Sequence, residues 1–297
     1  KHKEYVRVKV GEVGDKLVAS PLARGAGAAM SLVRADGFCV IPQNSEGVEA
    51  GDTVDVELYR SLEEIGSTAV AIGSHDLILD VMADLLPCMY PGNYLSSTHV
   101  GSMGGLMALK RGEAHLAPTH LLDEETGEYN IAILKKLFAD EKMALVKGVE
   151  RIQGIIVKRG NPLGIHEIED LRGLNYVNRQ RGAGTRVLFD YKLKEAGISP
   201  EEIHGYDREA ATHMAVAAAV SGGDADAGMG IQSAARAMGL DFIEIGREEY
   251  DFAIPVRFLD FPPVQHFLAV LKSREFAERV EKLGGYGLAR TGEILYL

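Results

Sequence analysis

Three short segments carry residue types suited to gripping an anion. They are Gly73-Ser74-His75-Asp76, Gly101-Ser102-Met103-Gly104-Gly105 and Arg179-Gln180-Arg181-Gly182-Ala183-Gly184-Thr185-Arg186. Each follows a strand-like run and opens a helix-like one. The first backbone N–H groups of a helix have no intrahelical partner. Their dipoles favour an anion by about 0.3–1 kcal/mol, and by more where water is excluded. Glycine lets the main chain come close to a ligand. A single turn of this kind is explained by capping, with Ser74, Ser102 or Thr185 serving its own helix. Three in one chain read as a set, because open α/β sheets bind ligands beyond the carboxyl ends of their strands. The third is the most specific: Arg179, Arg181 and Arg186 bracket a nest formed by Gly182, Ala183, Gly184 and Thr185. Guanidinium and backbone donors together suit an oxyanion, phosphate or carboxylate. Arg179 or Arg181 is expected to touch it. Arg186 reads equally well as a ligand contact or as a surface or interlobe ion pair.

Further candidates come from strand ends and helix starts. Thr119 ends a short strand, and Thr212-His213 opens a small-residue helix for which Thr212 is the expected cap. His75, His99, His115 and His120 lie at similar places, but no spacing matches a metal-ligand pattern. Hydrogen-bonding or capping roles are expected for them. No GxSxG, HExxH or P-loop is present, and Asp123-Glu124-Glu125, Asp224 and Asp226 read as solvated turns. With no base expected beside a nucleophile, binding is favoured over catalysis.

Two kinds of segment must position these residues. Residues 1–60 alternate with period two and are punctuated by Gly, Pro and Asp, which predicts a small all-β barrel or sandwich. Ser61 to Gly66 reads as a linker. From Ser67, strands alternate with helices, which argues for a sheet covered by helices. Strands are expected at 68–72, 94–100, 115–119, 143–146, 153–157, 175–178, 226–229 and 242–245, with a further crossing at 252–256. Helices are expected at 76–86, 102–111, 131–138, 185–196, 212–220 and 232–238, with one amphipathic region over 264–283. In the first helix, Asp76, Asp80 and Asp84 make a polar stripe and Pro87 is the stop.

The chain of 297 residues has 46% hydrophobic and 25% charged residues, enough for two soluble globular domains. Its net charge of −11 argues against a nucleic-acid footprint across the surface. No apolar run is long enough to span a bilayer. Cys39 and Cys88 lie in apolar stretches and read as reduced, buried thiols. The start lacks an initiator Met and an apolar leader, so a cytoplasmic fragment of a longer polypeptide is expected.

Residues ~67–297 resemble the binding-protein-like domain found fused to molybdenum-cofactor biosynthesis proteins and to some DNA-binding regulators. The resemblance rests on the three turns above, on Gly112-Glu113-Ala114-His115-Leu116-Ala117, on His120-Leu121-Leu122-Asp123, on Glu128-Tyr129-Asn130 and on Asp224-Ala225-Asp226-Ala227-Gly228. The third turn also resembles that of tungstate and molybdate binding proteins. Residues ~1–60 resemble the C-terminal β domain of molybdopterin molybdenumtransferase, the MoeA/gephyrin family. That match rests on Ala29-Met30-Ser31, on Asp36-Gly37-Phe38-Cys39-Val40-Ile41-Pro42 and on Val48 through Val56.

The resemblance implies an α/β chain: a two-lobed periplasmic-binding-protein type II fold preceded by a small all-β barrel-like domain. The implied boundaries are 1–63 for the β domain and 67–297 for the binding domain. One lobe would hold ~67–157 plus ~252–297, the other ~158–251. The implied ligand is molybdate or tungstate, sensed or delivered, or the phosphate of a molybdopterin-type intermediate. An uptake receptor is a third option. The site residues carried over are Ser74, His75, Ser102, Met103, Gly104, Thr119, Arg179, Arg181, Gly182, Ala183, Gly184, Thr185, Thr212 and His213. No catalytic residue, metal ligand or cofactor is expected in this fragment. The family's nucleotide and magnesium sites belong to upstream domains, which would be its partners in the same chain. A homodimer is left open; membrane and nucleic acid are not expected partners.

Overall fold

The computed structural model describes residues 3–22, 35–49 and 51–297. The small-residue stretch from Arg24 and the Ala29-Met30-Ser31 motif lie outside them. The alternating N-terminal segment forms β1 (Glu4–Val13), β2 (Lys16–Pro21), β3 (Gly37–Ile41) and β4 (Val56–Leu58). They pair antiparallel in the order β2-β1-β3-β4. Val6, Val8 and Val10 turn inward at every second position, with Cys39 and Ile65, to form a small core. Buried Asp36 ties this sheet together: one carboxylate oxygen accepts from Val10 N–H at 2.9 Å, the other from Arg60 at 2.9 Å.

The expected linker is instead a helix, α1 (Leu62–Gly66). Ser61 Oγ accepts from Glu64 N–H while Glu64 Oε2 accepts from Ser61 N–H. The S-x-x-E spacing is a capping box, and it gives even five residues a reason to coil.

Beyond it come β5 (Thr68–Gly73), α2 (Leu77–Met89), β6 (Tyr94–His99), α3 (Gly101–Lys110), β7 (Ala117–Thr119) and α4 (Ile131–Leu137). β5 and β6 pair in parallel. Pro87 does not stop α2 but lies inside its last turn. There a proline forgoes one backbone bond without ending the helix.

The largest departure from the sequence expectation is in the middle of the fold. The short strands expected at 143–146 and 153–157 are one 15-residue strand, β8 (Met143–Val157), and those at 242–245 and 252–256 are another, β12 (Asp241–Pro255). The two pair antiparallel along their lengths, with irregularities at Glu244/Gly246 and Tyr250/Phe252. Charged residues at their centres read as breaks in an apolar pattern. The fold buries Lys147, Glu248 and Asp251 there, with Lys147 bonded to Asp251 at 3.0 Å and also paired with Glu249.

The remaining elements are β9 (Tyr176–Arg179), α5 (Gly184–Glu195), β10 (Glu209–Ala210), α6 (His213–Gly222), β11 (Ala227–Ile231), α7 (Gln232–Ala237), α8 (Pro262–Leu271), α9 (Arg274–Leu283), β13 (Tyr286–Gly287) and β14 (Ile294–Tyr296). The region 264–283 is thus two helices, because Ser273 Oγ accepts from Phe276 N–H and starts a new one. The main sheet runs β10-β9-β11-β8-β12-β7, with β13 and β14 also on β8.

One large core gathers β5, α2, α3, α8, α9 and the Met143–Val149 end of β8. Two smaller cores cover the two faces of the sheet made by β9, β11 and the Ile155–Val157 end of β8. β8 and β12 therefore run from one lobe into the other, and the architecture is the two-lobed periplasmic-binding-protein type II fold behind a small β unit. Cys39 is buried, but Cys88 is exposed on α2; both are free thiols. No helix of the described residues is long and apolar enough to cross a membrane.

Gly105 sets how closely α3 lies on β5: a Cβ there would collide with the backbone of Ile72 and Gly73. Backbone cannot yield as a side chain can. Gly105→Ala should therefore lower unfolding stability by about 1–3 kcal/mol, read from the denaturant midpoint. An unchanged midpoint would show that α3 is free to shift.

Candidate anion-binding site

The three anion-friendly turns all start helices, yet their hydroxyls do not cap them. α2 is capped by Asp76, whose Oδ1 accepts from Ile78 N–H at 3.0 Å. α3 and α5 have no side-chain cap. Ser74 Oγ lies 2.8 Å from His120 Nε2, and Ser102 Oγ accepts from His120 N–H at 3.1 Å. Thr185 Oγ1 donates to Gln153 Oε1 at 2.9 Å. Thr212 alone of the four caps its helix, accepting from Ala215 N–H. The capping explanation fails for the three turns. Their hydroxyls reach toward a polar centre on the crossing strands.

Glu248 of β12 is the middle of that centre and is 1% exposed. Its Oε2 accepts from Arg151 at 2.6 Å and from Gln153 Nε2 at 2.7 Å. Its Oε1 lies 2.6 Å from His120 Nδ1 but off the line of a hydrogen bond. Gly184, the first residue of α5, covers the pair: a Cβ there would overlap Glu248 Oε1 and His120 Nδ1. The carboxylate thus sits under a helix N-terminus. Burial opposes its charge, but Arg151 and His120 outweigh burial and hold the Glu248 carboxyl below the usual carboxylate range.

Arg151 is held in turn by Asp76 at 3.1 Å and lies with its guanidinium carbon 5.2 Å from the Tyr250 ring centre. Tyr250 donates to the Ser74 carbonyl at 2.6 Å, and Tyr286 donates to Asp76 Oδ1 at 3.0 Å. Burial, with the Asp76 charge, pushes the Tyr250 and Tyr286 phenols up, so both stay protonated donors.

Arg179 ends β9 and is 8% exposed. Its Nε and Nη2 donate to the carbonyls of Ala210 and Ala211. Its Nη1 is buried without a hydrogen-bond partner, as are Arg151 Nε, His213 Nδ1, His120 Nδ1 and Glu248 Oε1. These groups are mutual neighbours. Arg179 is swayed by Arg151 and Glu248, and His213 by Arg179, Arg151, Glu248 and His120. Buried polar atoms are nearly always satisfied, so five unsatisfied ones in one cluster mark a place built for something else to bind.

The other sequence candidates fall elsewhere. Arg181 has a side chain 80% exposed and lies 3.6 Å from both Asp207 and Glu209. Arg186 lies over the Tyr206 ring and donates to Asp190 and to the Arg179 carbonyl, so it braces Arg179. Thr119 is fully buried and bonded to Asn130, which in turn donates to Asp251. His75 is exposed beside Asp80 and His99. Met103 is exposed at the start of α3, and Gly104 abuts Val100. Gly182 has φ +82° and lets the chain turn into Ala183, the residue preceding α5.

Asp76, His120, Arg151, Gln153 and Glu248 were not among the sequence candidates for ligand contact. Asp76 is no member of a solvated stripe; it is buried and ion-paired. The sequence also gave no sign of a base beside a hydroxyl, yet Ser74 and His120 meet across 46 residues. The signal available was the run of polar residues inside otherwise apolar strands. Among the described residues no group of three or more His, Cys, Asp or Glu side chains is placed to hold a metal ion.

Two imidazoles are kept from protonating. Burial, helped by Arg179 and Arg151, lowers the His213 pKa to about 3, and burial lowers that of His115 to about 4. The unfolded chain takes up these protons near pH 6.5 and the folded chain does not. Both folded pKa values are depressed, so this contribution is complete above about pH 6.5 and is lost as pH falls toward 4. The denaturation midpoint should fall across that window, and His213→Gln should remove part of the slope. A midpoint flat from about pH 7 to 4.5 would contradict the burial of both rings.

Comparison with known proteins agrees with this architecture. The PBP superfamily domain matches residues 84–272, and the MoeA C-terminal region (domain IV) matches residues 1–59. The uncharacterized protein YvgK of Bacillus subtilis (strain 168) is 31% identical over 238 residues, covering 80% of this chain and 76% of its own. Among solved structures, an ABC-type phosphate transport receptor from Vibrio cholerae superposes with a TM-score of 0.54 at 18% identity, over 73% of this chain and 98% of its own. A putative phosphate ABC transporter substrate-binding protein with bound phosphate, from Clostridium perfringens, gives 0.53 at 14% identity, over 73% and 97%. These two share the fold. With the PBP domain spanning well over half its length, the chain belongs to the periplasmic-binding-protein (PBP) superfamily domain family.

Proposed function

We propose that this chain is the ligand-binding part of a molybdenum-cofactor biosynthesis protein and that its two lobes hold a small anion between them. The anion reading rests on one observation: the buried, unpaired donors Arg151 Nε and Arg179 Nη1 lie in one cluster, roofed by the start of α5. An acceptor placed there satisfies donors that otherwise cost about 1–3 kcal/mol each. The molybdenum context rests on the match of residues 1–59 to the MoeA C-terminal region.

In this reading the cleft binds and does not catalyse. It senses an oxyanion, molybdate or tungstate, or delivers it to molybdenumtransferase domains upstream in a cytoplasmic protein. A second reading, in which the cleft takes the phosphate end of a molybdopterin-type intermediate, is favoured by one feature, the ionised Glu248 carboxylate within the cluster.

Calorimetric or thermal-shift titration with molybdate, tungstate, phosphate and molybdopterin tests the proposal. At least one should bind, and Arg179→Ala should abolish the response while Arg181→Ala leaves it within about twofold, since an exposed arginine in water contributes little. No response to any of the four, or equal loss in both variants, would overturn the assignment of the site.

A further inference from the structure

Glu248 makes the cluster more demanding than an anion hole. A carboxylate offers about four acceptor positions. Both aligned bonds to Glu248 come to Oε2, from Arg151 and Gln153. Oε1 is buried without an aligned donor, beneath the first residue of α5. His120 Nδ1 is close to it, but His120 is also tied by its backbone N–H to Ser102 and by Nε2 to Ser74. Even a small turn of the ring that brought Nδ1 into line would leave Oε1 a free lone pair.

The charges of the site point the same way. Arg151 is already shared between Asp76 and Glu248, so Arg179 is the one guanidinium of the pair without a carboxylate partner. A fully deprotonated dianion would meet one uncommitted cation and one buried carboxylate. Two like charges about 4 Å apart repel by about 4 kcal/mol at an effective dielectric of 20.

We infer that the ligand carries a hydrogen-bond donor next to its anionic oxygens, so that it accepts from Arg179 and Arg151 and donates to Glu248 Oε1. The ligand class is an oxyanion that keeps a proton, as hydrogen phosphate does, or an anion with an adjoining O–H or N–H. Molybdate, tungstate and sulfate carry no such proton in neutral or weakly alkaline solution. This inference rests on the anion reading above and narrows it.

The test is a calorimetric titration of the whole chain at about pH 8 with inorganic phosphate, sulfate, molybdate and tungstate. Phosphate should bind at least about tenfold more tightly than the three donor-free ions. Glu248→Gln, which turns the acceptor into a group able to donate, should reduce or invert that ratio. Because this variant disturbs Arg151, a second readout uses the wild type: methyl phosphate, which loses its last proton between about pH 5.5 and 8, should weaken across that range while inorganic phosphate holds. Donor-free ions binding as tightly as phosphate would overturn the inference alone. Binding of none of them would overturn it together with the anion reading.

Discussion

The fold depends on Arg151 being shared by two buried carboxylates. Asp76 belongs to the start of α2 in one lobe, and Glu248 to the strand that leads into the other. Each buried ion costs several kcal/mol to desolvate, and the attraction repays this only when the remaining lone pairs are also met. Here they largely are. Asp76 is completed by Ile78 N–H and Tyr286, and Glu248 Oε2 by Gln153. The guanidinium stands at the middle of β8, where the chain passes from one core to the next. Its position thereby fixes where the two lobes meet.

The same constraint explains the long strands. A 15-residue strand with Lys147, Glu150, Arg151 and Gln153 at its centre would expose these groups in an ordinary two-sided sheet. β12 answers with Glu248, Glu249 and Asp251. The polar middle is compatible with burial because each strand carries the other's counter-charges. Burial raises the Asp251 carboxyl, Lys147 and Asn130 work against that rise, and the group stays a hydrogen-bonded member of the ribbon. Apolar residues at both ends anchor the ribbon in separate cores, and a polar centre lies between them beside the candidate site.

Much of this was legible in the sequence, and the failures have a common cause. Amphipathic runs located α2, α5 and α6 to within a few residues, since hydrophobic spacing is a local signal. The three glycine- and hydroxyl-bearing turns were located at helix starts, where the fold has them. What periodicity cannot show is pairing at a distance. Arg151 with Asp76, and His120 with Ser74, join residues whose separation hides any pattern. Polar residues within β8 and β12 looked like strand ends because burial of a charge is improbable until its partner is known. Arg179 and Arg181, two positions apart on a strand end, looked alike for the same reason. The main chain turns between them, sending one into the cluster and the other to solvent beside Asp207.

That divergence bears on how such a cleft selects its ligand. A site made only of helix starts and arginines would accept any small anion, because dipoles and guanidinium groups read charge and little else. This one also contains a fixed carboxylate and a ring, His213, held neutral by burial and by its cationic neighbours. A neutral imidazole presents one donor and one acceptor, and a carboxylate presents acceptors alone. The cluster therefore offers donors and acceptors in a set pattern, and a ligand is discriminated by where its protons sit as well as by its charge. Mispairing leaves a buried group unsatisfied, a penalty that falls on the wrong ligand and leaves the right one untouched.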